Sequence, residues 1–243
     1  MKKIALIISY TGTNYSGWQS QQKGVAVQDL VEGAILKVCG QKVSVHASGR
    51  TDAGVHALGQ VAHFETSSNL PVKRWCLAIN AHLPKDIRVL ESYEAPSDFH
   101  ARFSAKKKTY EYRFYVNNIA LPTFAATHAH VKPPFNYKTA AAATRQFEGT
   151  HNFKAFMSTG SSCVSCVRTI FNCALLNVEV NQYVLRVTGS GFLYNMVRIM
   201  AGTIIEAGKG GNCNINEIIE SGNRKLAGPT APACGLCLIK VEY

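Results

Sequence analysis

Two short alternating stretches on either side of a glycine-bounded segment constrain this chain more than anything else in it. Val43-Ser44-Val45-His46 and Val61-Ala62-His63-Phe64 both switch side-chain character at every step, the pattern of a strand with one covered face. Between them runs Gly49-Arg50-Thr51-Asp52-Ala53-Gly54-Val55-His56-Ala57. Its two glycines allow a tight reversal, so the stretch predicts a loop between strands with Asp52 on it, beside the cation of Arg50 and the hydroxyl of Thr51. A loop carried by a rigid sheet is a favoured place for catalytic groups. Spacing alone also fits an Asx-turn in which Asp52 only bonds nearby backbone amides.

The charge balance narrows the partners. The chain has 243 residues, with 26 Lys and Arg against 15 Asp and Glu, a formal +11. No long basic tail accounts for the surplus, so it lies on folded surface and points to a polyanion, either nucleic acid or an anionic membrane face, with service to solubility alone as the other reading. No run of 18 apolar residues is present, which excludes a spanning helix of the ordinary kind. Met1-Lys2-Lys3 before Ile4–Ile8 resembles the start of a secretion signal, but the apolar run is short and no small-residue cleavage site follows. It reads as a first strand.

Eight cysteines include two C-x-x-C pairs, Cys163 with Cys166 and Cys234 with Cys237, the raw material of a four-thiolate zinc site. Cys234-Gly-Leu-Cys237-Leu-Ile-Lys-Val reads as a strand, where residues three apart face opposite sides, so zinc is not expected. Reduced thiols in a cytosol are expected instead.

Along the chain, Ile4–Tyr10 predicts a strand and Thr11–Gln19 a polar loop rich in glycine and aromatics. Val27, Leu30, Val31, Ala34, Ile35 and Val38 fall at helical spacing, closed by Gly40. Pro71 opens a helix through Trp75 and Ile79, and Ile87 begins a strand. Strands interrupted by helices mean an α+β protein, divided near residue 105 into halves 1–105 and 106–243. In the second half, Lys106-Lys107-Lys108 leads into a strand over 109–116 on which Tyr110, Tyr112 and Phe114 share a face. That row suits either base stacking beside a phosphate track or a sheet core. Residues 117–134 predict a long loop, 137–147 a helix, and 168–187 a strand pair. The next helix buries Leu193, Met196, Val197, Met200, Ala201 and Ile204, leaving Tyr194, Asn195, Arg198 and Gly202 on another face. Asn214 to Glu217 reads as a capped short helix.

The string G-R-T-D-A-G-V-H-A at 49–57 resembles the signature of the tRNA pseudouridine synthases of the TruA family. Further matches are K-x-Y-x-Y at 108–112, G-x-H-x-F-x-x-F at 149–156, G-x-x-F-L-Y-N-M-V-R at 189–198, and the ending from Ala227 to Tyr243. The resemblance implies that Asp52 is the nucleophile, that Arg198 is brought to it, and that Tyr110 packs on the target uracil. It implies two related ferredoxin-like halves joined into a central antiparallel sheet, with helices on one side and a basic cleft between. It also implies a cytoplasmic homodimer acting on uridines 38, 39 and 40 of the tRNA anticodon arm, with no metal and no cofactor.

The residues suit that chemistry. A carboxylate such as Asp52 is an established type of covalent catalyst, and a neighbouring arginine favours its charged form. A base inside a stem must leave its stack, and Arg50 is a candidate to occupy the vacated space. Whether Asp52 attacks ribose C1′ or uracil C6 stays open. Two rivals stand beside this reading. One is a metal-dependent RNA-processing enzyme such as a nuclease, although no other acid lies between Glu32 and Glu65. The other is an RNA-binding protein without catalysis.

Overall fold

A computed structural model describes residues 1–160, 164–211 and 213–243. Cys163, half of one C-x-x-C pair, lies outside the described residues. The fold is α+β, and the chain divides into two compact units. Residues 1–106 with 238–243 make the first and residues 107–237 the second.

In the first unit β1 (Lys2–Tyr10) is central. Its β-branched run buries Ile4, Leu6 and Ile8 completely. α1 (Val27–Cys39) turns Val27, Val31, Ala34 and Ile35 inward and ends on Gly40, whose left-handed φ of 69° lets its N–H reach the Leu36 carbonyl. The expected strand before the Asp52 loop shrinks to β2 (His46–Ala47), and the one after it lengthens to β3 (His56–Thr66). Val43–Val45 stay outside the ladder, because Val45 N–H is taken by the Glu32 carboxylate on α1. A 3-10 turn (Val72–Arg74) precedes α2 (Trp75–Asn80), so Pro71 opens a turn before the helix. β4 (Ile87–Glu94) pairs with β1, β1 with β3, and β3 with β2, all antiparallel.

In the second unit β5 (Lys107–Val116) carries the aromatic row. The segment 117–134, expected as an unbroken loop, contains a 3-10 turn (Pro122–Phe124) and β6 (Ala129–Val131), which runs parallel to β5. A three-residue strand is too short to show a period. α3 (Tyr137–Thr144) follows, capped by the Asn136 side chain accepting from Thr139 N–H. β7 (Gly149–Asn152), β8 (Val167–Glu179) and β9 (Gln182–Gly189) complete an antiparallel order β5-β9-β8-β7. α4 (Met196–Gly208) is the buried helix of this unit, and α5 (Ile215–Ser221) has the expected Asn214 cap. The last strand, β10 (Leu236–Glu242), ends in the first unit. The Cys234 to Val241 stretch begins with a 3-10 turn over Ala233–Gly235, so Cys234 is not a strand residue. No described helix is long and apolar enough to cross a membrane.

Candidate active site

The Asp52 loop is held from several sides. A register shift in β1 between Ile8 and Tyr10 places Tyr10 opposite Ala57 at the foot of the loop. There the Tyr10 hydroxyl and Thr51 Oγ1 share a buried hydrogen bond of 2.8 Å. On the far shoulder Ser48 Oγ donates to Gln60 Oε1 at 2.6 Å, and Gln60 Nε2 donates to the Gly49 carbonyl at 2.8 Å. Gln60 is fully buried, and its bond with Ser48 is made away from water, where losing it is costly. Asp52 itself is half-buried and Arg50 is exposed.

The Thr11–Gln19 loop locks this arrangement by backbone contact. Trp18 N–H donates to the Thr51 carbonyl at 3.1 Å, and Gly12 N–H donates to His56 Nδ1 at 3.1 Å. A Cβ on Gly12 would sit 2.0 Å from the Val55 oxygen, and one on Gly17 2.3 Å from the Thr51 oxygen. Gly17 also has φ of +99°, open to glycine and strained for other residues. The composition of Thr11–Gln19 shows a polar loop rich in glycine and aromatics, but not that it supports the Asp52 loop. Tyr10 and Gln60 carried no signal beyond their strand positions.

In the second unit Tyr110 pairs with Val187 across β5 and β9, and its ring meets Phe192 edge to face at 5.1 Å. The rest of the aromatic row is core. Tyr112 is fully buried and donates its hydroxyl to the Pro232 carbonyl at 2.9 Å, while Phe114 stacks on Tyr183 at 5.3 Å. Burial pushes the Tyr112 phenol far above its ordinary range; Cys234 adds to this and the Arg198 charge works against it. On the opposite face of β5, Glu111 is buried as well. Burial raises its carboxyl, but hydrogen bonds from Arg186 and Arg113 outweigh that and hold it below the ordinary range.

Arg198 projects from the first turn of α4. Its Nε donates to the Ala231 carbonyl at 2.8 Å and its Nη1 to Asn195 Oδ1 at 3.0 Å, so the guanidinium plane is fixed. Asn195 adopts a left-handed φ of 60° and donates in turn to Ser158 Oγ at 3.0 Å. On the face that carries Arg198, the Gly202 end is covered while Tyr194 is exposed. Gly202 is buried, and a Cβ there would meet the Pro229 oxygen at 1.9 Å. The chain 228–231 lies along that face, tied down by Arg224 to the Gly228 carbonyl at 2.9 Å. Helical spacing separates faces of a helix; it does not say which loop comes to cover one.

Asp52 and Arg50 thus lie in the first unit, Tyr110 and Arg198 in the second. Among the described residues no three His, Cys, Asp or Glu side chains gather so as to hold a metal ion.

A model of the tRNA pseudouridine synthase family matches residues 6–104 and 143–243. The tRNA pseudouridine synthase A of Acetivibrio thermocellus is 47% identical over 247 residues, and that of Ruminiclostridium cellulolyticum 44% over 245, both covering 100% of either chain. The Anoxybacillus flavithermus protein of the same name is 44% identical over 250 residues, covering 100% of this chain and 99% of its own.

Proposed function

The chain belongs to the tRNA pseudouridine synthase family, and from that premise we propose that Asp52 is the covalent catalyst with which it isomerises uridine to pseudouridine in tRNA. The reaction breaks the C1′–N1 bond, turns the uracil, and joins C5 to C1′. The C5 proton leaves to water and N1 takes one up, so atoms and electrons balance without an oxidant or reductant. Arg198 favours the ionised carboxylate. Tyr110 packs on the extruded uracil, and Arg50 enters the space the base leaves in the stack. The target uridines are those at positions 38, 39 and 40 of the anticodon arm, and the enzyme acts as a homodimer in the cytoplasm. Support for these residue roles comes from the match of this sequence to the family pattern at 49–57, 108–112 and 189–198.

One structural observation carries the assignment of Asp52. Its loop is held by the Tyr10 to Thr51 bond, by Gln60 on the Gly49 carbonyl, and by glycines pressed against its backbone. A surface turn needs none of this; a nucleophile that must meet a sugar or a ring at one angle does. The test uses an unmodified tRNA transcript tritiated at uridine C5. Wild-type protein should release tritium to water. Asp52→Asn should reduce release by at least about a thousandfold, the scale on which a nucleophile's loss is felt, while tRNA affinity stays within about twofold. Substantial release by that variant refutes the assignment.

A further inference from the structure

Away from the Asp52 loop, the first unit has a recess. A pocket of about 680 Å³ is lined by Lys3, Lys42, His46, His63 and His100, with Glu65 as its one carboxylate. The three imidazoles are crowded together: His46 and His63 lie 5.3 Å apart between ring centroids, His63 and His100 4.8 Å, His46 and His100 5.7 Å. Burial first, then the positive charge of His100, His46 and Lys3, holds His63 down to about 4. Burial and the charges of His46 and Lys3 likewise lower His100. Held down to that value, His63 is uncharged at neutral pH, so the recess draws its positive charge from Lys3 and Lys42, which favour an anion there.

The rim extends the site beyond a bare phosphate. His100 packs against Phe103 at 4.4 Å, Phe103 is 76% exposed, and the Arg102 guanidinium stands 5.6 Å from the Phe103 ring centroid. An exposed aromatic ring beside an arginine is a surface on which a nucleobase stacks.

We propose that this recess binds one nucleotide of the tRNA substrate, its phosphate against Lys42, His46 and His100 and its base on Phe103. The proposal rests on tRNA being the substrate. Lys3 and Tyr10 lie seven residues apart on β1, as do His56 and His63 on β3. At about 3.3 Å per residue the nucleotide lies roughly 20 Å from the Asp52 loop. It is therefore a contact to a part of the tRNA other than the reacting uridine, one that adds affinity without touching the chemistry.

Lys42, His46 and Phe103 are exposed, so their replacement spares the core. The variants Lys42→Ala/His46→Gln and Phe103→Ala are compared with wild type for tRNA binding and tritium release. Both should raise KM and Kd for tRNA about five- to tenfold with kcat held within about twofold. The lysine–histidine pair should also flatten the dependence of log K on log salt by about one, as removal of one phosphate contact does; Phe103→Ala should leave that slope alone. Unchanged Kd and slope overturn the proposal, as does a fall in kcat with Kd unchanged. Inorganic phosphate that shifts the His46 and His100 NMR signals without being displaced by tRNA also overturns it, assigning the pocket to a small anion. Absence of turnover by the wild-type protein is a different failure, that of the catalytic reading itself.

Discussion

Gly17 shows how one residue with no side chain supports the proposed chemistry. Its φ of +99° and the 2.3 Å separation its missing Cβ would have from the Thr51 oxygen leave no room for alanine unless the Asp52 loop shifts. Gly17→Ala should cost about 2 kcal/mol, which lowers the Tm of a chain this size by roughly 4–8 °C. Its effect on kcat should be larger than that, about a hundredfold, or about 2.7 kcal/mol, because displacement of about 1 Å at a reacting group is felt far more strongly than the same movement elsewhere. Differential scanning calorimetry and single-turnover tritium release separate the two. A variant with lowered Tm and normal kcat would show that the loop's position does not matter.

At the scale of elements, His63 joins three pieces of the first unit. It stands on β3 opposite His46 of β2, and its Nδ1 accepts from the Ala101 N–H at 3.2 Å, fastening the segment before β5 to the sheet. That acceptor exists only while the ring is neutral. Its folded value of about 4 lies below the ordinary 6.5, so between those two pH values the unfolded chain takes up a proton that the folded one does not. Stability is therefore full above about pH 6.5 and declines as pH falls towards 4, by on the order of 2 kcal/mol. Urea unfolding at pH 7.5 and pH 4.5 should show the drop, and His63→Gln should flatten it. An equal drop in the variant would place the titration elsewhere. Glu111 adds a second acid-sensitive element: its carboxyl is depressed, so the β5 ion pairs with Arg186 and Arg113 hold above the ordinary carboxylate range and weaken only below it.

For the molecule as a whole, charge is the property that counts. A formal +11 on a chain of this length predicts that tRNA affinity is carried largely by phosphate contacts and falls steeply with salt. For about six such contacts the affinity should drop roughly a thousandfold between 50 and 200 mM salt. Filter binding across that range checks it, and a flat response would mean that the basic surplus serves solubility.

Much of this protein was legible along the chain because it is decided by neighbours in sequence. The glycine-bounded Asp52 loop, the α1 periodicity ending on Gly40, the Asn214 cap and the β8–β9 strand pair all follow from local conformational preference and side-chain period. What holds the site was decided only by tertiary structure. Tyr10 meets Thr51 across 41 residues, the 228–231 chain closes over Gly202, and His46, His63 and His100 gather into one pocket. Period and propensity report how a residue relates to the next turn or the next strand position. Which distant backbone comes to lie 2 Å from a missing Cβ depends on how packed elements meet, and no local pattern encodes that.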